Sequence, residues 1–213
     1  MTKIFFGLIS YLFHPLLMPL VGVMIVLTQN DMYRLLVPPP LRFFIALVLL
    51  VFTILFPVFT LLGMRMARLI SSLHLPLRNE RRYPLLMGVV FYTVAWWLIK
   101  SVNEIQSINY LFIAGLFTLA ILLVLNHFIK LSIHMAAIGG LTGMFTVFSL
   151  LPGFDSWYFL LGAVMASGLV ASSRLYLKAH TVKEVIWGYT IGFLSQYILL
   201  LILLYRLISM PSH

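Results

Sequence analysis

The segment from Ser173 to Glu184 reads SRLYLKAHTVKE and is one of the most polar segments of a chain that is otherwise strongly apolar. It combines an arginine, a histidine, two lysines and a carboxylate, and each of these groups is costly when it faces lipid. Apolar runs flank it at about residues 156–173 and 180–208. We therefore interpret the segment as a junction between two membrane-spanning helices, with its polar groups gathered at the helix ends.

The composition of the whole chain indicates an integral membrane protein. Of its 213 residues, 62% are hydrophobic and 9% are charged, far from the values of soluble domains. Its apolar stretches are roughly 17–25 residues long, as membrane-spanning helices require, and they lack the alternation of a lipid-facing strand. We predict an all-α polytopic transmembrane helical bundle that forms one domain over residues 1–213.

Seven helices are predicted from the apolar runs and from the polar or proline-containing segments between them. They cover residues 4–28, 41–70, 84–101, 107–127, 133–151, 156–173 and 180–208. The third is short, so six spans are an alternative. His14 and Pro15 interrupt the first run, which has no signal-cleavage pattern, and we interpret it as a retained first helix.

The charge balance indicates an anionic partner. The formal net charge is +9, from 14 Lys and Arg against 5 Asp and Glu, which favours contact with lipid headgroups or with an anionic substrate. Nucleic acid is not expected, because there is no basic extramembrane domain to hold it. The absence of cysteine excludes disulfides and thiolate chemistry. Counting crossings places the loops near 71–83, 128–132 and 174–179 on one face, while the side that this face meets stays open.

Two basic clusters precede the opening segment. The first is RNERRYP, with Arg78, Arg81 and Arg82. Guanidinium groups grip phosphate oxygens well, although a cytoplasmic loop that obeys the positive-inside rule explains the cluster too. The second is KLSIHM, which contains Lys130, Ser132 and His134. Ser132 and His134 stand at the start of a predicted helix, a pattern typical of an anion site. Alternatively, the histidine only satisfies a neighbouring backbone group.

The third cluster contains His180 and Glu184, which share a helix face because they are four residues apart. A carboxylate there can accept a hydrogen bond from one ring nitrogen, which leaves the other nitrogen free to act as a nucleophile. Arg174 can reach an anion that is bound beside His180. The alternative is an interfacial basic turn in which Glu184 pairs with Lys178 or Lys183.

These residues resemble the type 2 phosphatidic acid phosphatase (PAP2) superfamily of membrane lipid phosphatases. The third signature of that family is Ser-Arg, five residues, His, three residues, Asp. This chain has Ser173-Arg174, five residues, His180, three residues and Glu184. The resemblance covers about residues 78–190, and it implies a PAP2-like core over about 78–208.

The other two signatures are present in altered form. Pro-Ser-Gly-His is echoed by Leu131-Ser132-Ile133-His134, in which isoleucine replaces glycine. The signature of a lysine followed by Arg-Pro is faint in the segment from Arg78 to Pro84, where Tyr83 separates Arg82 from the proline and the lysine is missing. Arg78 or Lys130 are candidates for the missing phosphate contact.

The resemblance implies a function and a role for each matched residue. His180 would attack phosphorus to form a phosphohistidine, Glu184 would orient it, and His134 would protonate the leaving alcohol and later activate water. The implied phosphate-binding residues are Arg174, Ser132, Arg82, Arg78 and Lys130. Neither a metal ion nor another cofactor is expected, since side chains supply the positive charge.

The substrate and the functional class of the protein both have alternatives. Several lipid phosphomonoesters and pyrophosphates fit equally, and a phosphotransferase would use the same residues. The alteration of two signatures favours a catalytically inactive PAP2-like lipid-binding or transport protein as the rival. A proton-coupled transporter is a third candidate, although its ionisable groups are expected near the membrane midplane. The family resemblance suggests a bacterial cytoplasmic membrane.

Overall fold

A computed structural model describes residues 2–29, 31–73, 75, 77–101, 106–150 and 157–209. Over these residues the chain is helical and contains no strand. The helices are α1 (Thr2–Leu12), α2 (Met18–Gln29), α3 (Asp31–Leu36), α4 (Pro39–Leu49), α5 (Phe56–Met66), α6 (Arg82–Lys100), α7 (Gln106–Leu125), α8 (Ile133–Ser149), α9 (Trp157–Tyr176) and α10 (Val182–Ser209). A π-helical segment, Leu50–Leu55, joins α4 to α5, and a 3-10 turn, Asn79–Arg81, precedes α6.

Five helical segments are long and apolar enough to cross a membrane, so the chain is an integral membrane protein, as predicted. They are Pro39–Met66, Asn79–Lys100, Ile108–Leu125, Trp157–Tyr176 and Val182–Arg206. Three further helices, α1, α2 and α8, are apolar but shorter. The predicted total of six or seven crossings depends on these three and stays a prediction.

The first helix differs from its prediction. Residues 4–28 form two helices, α1 and α2, with a break between Phe13 and Leu17. Pro15 explains the break, because its ring disfavours a helical conformation at the preceding residue and it has no N–H to donate. The break also lets α1 pack along α9 while α2 packs along α8. The predicted loop before α4 likewise contains the short helix α3.

The helices α8 and α10 touch at the level of their backbones. Gly139 and Gly143 lie four residues apart in α8, on the side that meets α10. Together with Gly188 and Gly192 of α10, they lie so close to the opposite helix that a Cβ at any of the four would collide with a backbone carbonyl. The backbone N–H of Ser132 also donates to the Glu184 carbonyl, at 3.2 Å. The N-terminal ends of the two helices are therefore held together.

The turn between α9 and α10 places two of the predicted site residues at the same level. The N–H of Ala179 donates to the Arg174 carbonyl at 3.1 Å, which closes the C-terminus of α9 as in a Schellman motif. Lys178 has φ of 52°, a left-handed conformation that costs a residue with a Cβ about 1–2 kcal/mol. This cap reverses the chain, so Arg174 at the end of α9 and His180 before α10 point into one region.

Candidate active site

A cavity of about 1040 Å³ lies between the helices, and its two ends differ in chemistry. Ionisable and hydroxyl side chains line one end, namely Ser10, His14, Arg81, Lys130, His134, Arg174, Lys178 and His180. Most of the other lining residues are apolar, such as Val23, Phe52, Leu111 and Met144. Met144 follows His134 ten positions later in α8, so the cavity extends roughly 15 Å along the helix axis. A charged group with an apolar chain would match this shape.

His180 and Glu184 form the close pair that their spacing predicts. The Nδ1 atom of His180 lies 2.6 Å from Oε2 of Glu184, and the histidine side chain is only 4% exposed. A carboxylate can only accept here, so the ring proton resides on Nδ1 and the lone pair is on Nε2. The ammonium group of Lys130 lies 4.0 Å from the same Oε2.

The ionisation of His180 also suits a nucleophile. Burial lowers the pKa of His180 to about 4, and the charges of Arg81 and Arg174 act in the same direction, whereas the hydrogen bond to Glu184 opposes them. A histidine whose pKa lies below its usual value keeps its neutral form as the pH falls through 6.5. Its Nε2 lone pair is therefore available at neutral pH.

A second histidine, His134, projects into the same end of the cavity from the first turn of α8. Its ring contacts the backbone of Ser10 and lies within electrostatic range of His180 and Arg174. The ring of His14 packs edge to face against it, with ring centroids 5.3 Å apart. Burial, with a smaller contribution from Arg174, lowers the pKa of His14. The site thus contains a pair of neighbouring imidazoles beside the His180–Glu184 pair.

Two guanidinium groups face the cavity. Arg174 donates from Nη1 to the Ser10 hydroxyl at 2.9 Å, and its Nε is buried without a hydrogen-bond partner among the described residues. Arg81 is 5% exposed and donates to the carbonyls of Leu75 and Leu131, at 2.8 and 2.9 Å. A buried cationic donor without an acceptor is costly, which makes an anion a favourable ligand for this end of the cavity.

Three of the residues predicted to bind phosphate lie elsewhere. Arg82 is exposed, with its guanidinium carbon 5.0 Å from the ring centroid of Tyr83, and Arg78 is exposed and donates to the Phe128 carbonyl at 2.7 Å. Ser132 is fully buried and caps α8, accepting from the Met135 N–H at 3.4 Å. None of the three lines the cavity. Their predicted contact with phosphate remains a prediction that this geometry does not favour.

The structure brings the other predicted residues together and adds four that the sequence analysis did not assign to the site. His180, His134, Arg174 and Lys130 line the cavity, and Glu184 adjoins it through His180. The added residues are Ser10, His14, Arg81 and Lys178. Arg81 was recognised only as a member of a basic cluster, and the sequence signal for His14 was its position beside a proline in an apolar run.

Searches of protein-family models, curated proteins and solved structures found no match to this chain. The functional assignment therefore depends on the chemistry of the cavity.

Proposed function

We propose that this chain is a membrane lipid phosphatase that hydrolyses a phosphomonoester or pyrophosphate on a lipid through a phosphohistidine at His180. One observation carries the proposal: the oriented His180–Glu184 pair stands at the cationic end of a cavity whose other lining residues are mostly apolar. Anion binding alone would need the arginines and not an imidazole fixed by a carboxylate. The third sequence signature points to the same chemistry, and we infer membership of the PAP2 superfamily from it.

In the first step, Nε2 of His180 attacks phosphorus as the bond from phosphorus to the lipid oxygen breaks. Burial lowers the pKa of His134, so the negative charge of the bound phosphoryl group is needed to bring this imidazole to its protonated form. His134 then donates its proton to that oxygen, so the lipid leaves as an alcohol, or as a lipid phosphate when the substrate is a pyrophosphate. Arg81 and Arg174 stabilise the charge on the phosphoryl oxygens, with Lys130 next to them. Positioning and charge stabilisation of this kind account for most of the catalysis of phosphoryl transfer.

In the second step, His134 accepts a proton from water, and the resulting hydroxide attacks the phosphohistidine. The bond between nitrogen and phosphorus breaks and phosphate leaves. Nε2 of His180 regains its lone pair, while Glu184 keeps the proton of the His180 ring on Nδ1. A phosphotransferase would run the same step with another alcohol in place of water.

The two ends of the cavity support a lipid substrate. A phosphate at the polar end would place its attached chain among apolar residues of α2, the π-helical segment, α7 and α8. Burying each methylene of such a chain contributes about 0.8 kcal/mol to binding. The rival proposal is a catalytically inactive lipid-binding or transport protein, which Ile133 and the missing lysine of the first signature favour.

The direct test is phosphate release by the purified full chain in detergent, with EDTA present, from a panel of lipid phosphates and pyrophosphates. We expect release that chelation does not reduce, because arginine and lysine side chains supply the positive charge. Binding of a lipid phosphate without any release across the panel would favour the lipid-binding rival. Release that stops with EDTA and returns with a divalent cation would contradict the metal-independent mechanism.

Variants of the neighbouring residues Arg81 and Arg82 test whether the geometry of the cavity or the sequence signature identifies the arginine that binds phosphate. Consecutive residues of a helical turn point about 100° apart, so one can face the cavity while the other faces outward. We expect Arg81→Gln to lower kcat/KM for phosphate release by about 10²–10³-fold, as when one donor to a transition-state oxygen is removed. Arg82→Gln should change it by less than about threefold. A larger loss for Arg82→Gln would favour the signature over the geometry.

A further inference from the structure

Helix α1 lies outside the segment that resembles the PAP2 core, yet it contributes a hydroxyl to the polar end of the cavity. Ser10 is 9% exposed, and its Oγ lies 2.9 Å from Nη1 of Arg174 and 2.7 Å from Oγ of Ser173. Ser173 is fully buried, and its Oγ lies 2.7 Å from the carbonyl oxygen of Phe6. Four groups from α1 and α9 thus form a continuous chain of hydrogen bonds.

The direction of this chain follows from its two ends. The Phe6 carbonyl can only accept, so the one hydroxyl proton of Ser173 is donated to it. Ser173 then has only lone pairs to offer, and the hydroxyl proton of Ser10 is donated to Ser173. Arg174 has only donors, and its Nη1–H is donated to a lone pair of the Ser10 hydroxyl. Each hydrogen bond polarises the next, so the chain strengthens the hold on Arg174.

This arrangement fixes the arginine and leaves donors free for a ligand. Among the residues that the structure describes, only Nη1 of Arg174 has a hydrogen bond to another side chain, and the buried Nε has no partner. A guanidinium offers its donors in one plane, so fixing Nη1 limits the directions in which the others point. An oxygen of an anion in the cavity would satisfy the unpaired donor.

We propose that Ser10 is a positioning residue of the anion site: it holds the Arg174 guanidinium in the orientation that binds a phosphoryl group, so that α1 is part of the functional unit. This inference rests on the proposed function for the nature of the ligand. It assigns Ser10 no contact with the reacting atoms. Its effect on the ligand passes through Arg174.

The test measures binding of inorganic phosphate to the purified full chain in detergent by titration calorimetry. We expect Ser10→Ala to weaken binding by about tenfold, since a hydrogen bond to a charged group is lost and Arg174 gains freedom. Ser10→Thr, which keeps the hydroxyl, should restore most of the affinity. In an Arg174→Gln background, Ser10→Ala should change the affinity by less than about twofold, because a residue that acts through another has no separate effect.

Ser167→Ala is a matched control. It removes a buried hydroxyl of α9 that donates to its own helix at 2.7 Å and lies 3.4 Å from the Thr142 hydroxyl, away from the cavity. The variant should bind phosphate like the wild type. If Ser10→Ala weakens binding equally with and without Arg174, or if Ser167→Ala weakens it as much, Ser10 has only a structural role and the proposal is overturned.

Measuring phosphate binding and phosphate release side by side distinguishes failure of this inference from failure of the proposed function. A wild-type chain that binds phosphate but releases none from any lipid contradicts the phosphatase, while the Ser10 comparison still stands on binding alone. Phosphate release with an unchanged affinity in Ser10→Ala supports the phosphatase and overturns the positioning role. A wild-type chain that binds no inorganic phosphate at millimolar concentration overturns the anion site and the role of Ser10 together.

Discussion

Replacing His180 with alanine is expected to lower phosphate release from a lipid phosphate by at least about 10⁴-fold, because the covalent route then has no nucleophile. Replacing His134 should cost less, about 10²–10⁴-fold, the usual contribution of a general acid and base. The difference arises because water or buffer can supply a proton, whereas no other side chain takes the place of His180 beside Glu184. The measurement is initial-rate phosphate release in detergent with the best substrate of the panel.

His127→Ala is the matched control for this prediction. His127 is exposed, does not line the cavity, and contacts Phe128 with ring centroids 5.1 Å apart. The control should keep the wild-type rate within about twofold, as is usual for surface substitutions. A His180→Ala protein that retains more than about one hundredth of the activity of this control would show that the nucleophile is another group.

The local parts of the site could be predicted from the sequence. The helix predicted over 156–173 is observed as Trp157–Tyr176, and the one predicted over 180–208 as Val182–Ser209, because long apolar runs set helix positions in a membrane protein. The pairing of His180 with Glu184 depends only on the i, i+4 geometry of one helical turn. Such relations need no knowledge of how the helices pack.

The remaining parts of the site depend on distant contacts that no local pattern encodes. Ser10 and Arg174 are 164 residues apart in the chain and meet because α1 packs along α9. The choice between Arg81 and Arg82 depends on the 3-10 turn at Asn79–Arg81, which sets the face that each guanidinium occupies. The sequence showed that Pro15 interrupts an apolar run. It did not show that the break places the ring of His14 beside His134, because that contact depends on the position of α8.

The contact between α8 and α10 leads to the second large effect, which concerns stability and activity together. Gly192 lies so close to Ala136 that an added Cβ would overlap the backbone carbonyl of that residue. A flexible side chain can move aside, but a carbonyl within a helix can move only with the helix. The variant Gly192→Ala must therefore push α10 away from α8.

We expect Gly192→Ala to reduce the free energy of unfolding by about 1–3 kcal/mol, the usual cost of overpacking. The loss should occur even though alanine has a better intrinsic helix propensity than glycine, by about 1 kcal/mol. Phosphate release should fall as well, because α8 carries His134 while α10 holds Glu184 and follows directly after His180. The measurement is thermal unfolding in detergent, followed by the release assay below the transition temperature.

Gly168→Ala distinguishes the helix contact from a general effect of alanine. Gly168 lies in α9 and is exposed, and a Cβ there would meet nothing within 4 Å. This control should therefore equal the wild type or gain some stability from helix propensity. If Gly192→Ala unfolds at the temperature of the control and keeps its rate, the close approach of α8 and α10 does not set the positions of the two histidines. If Gly192→Ala alone loses both, the glycine contact holds the general acid at the distance from the nucleophile that the reaction requires.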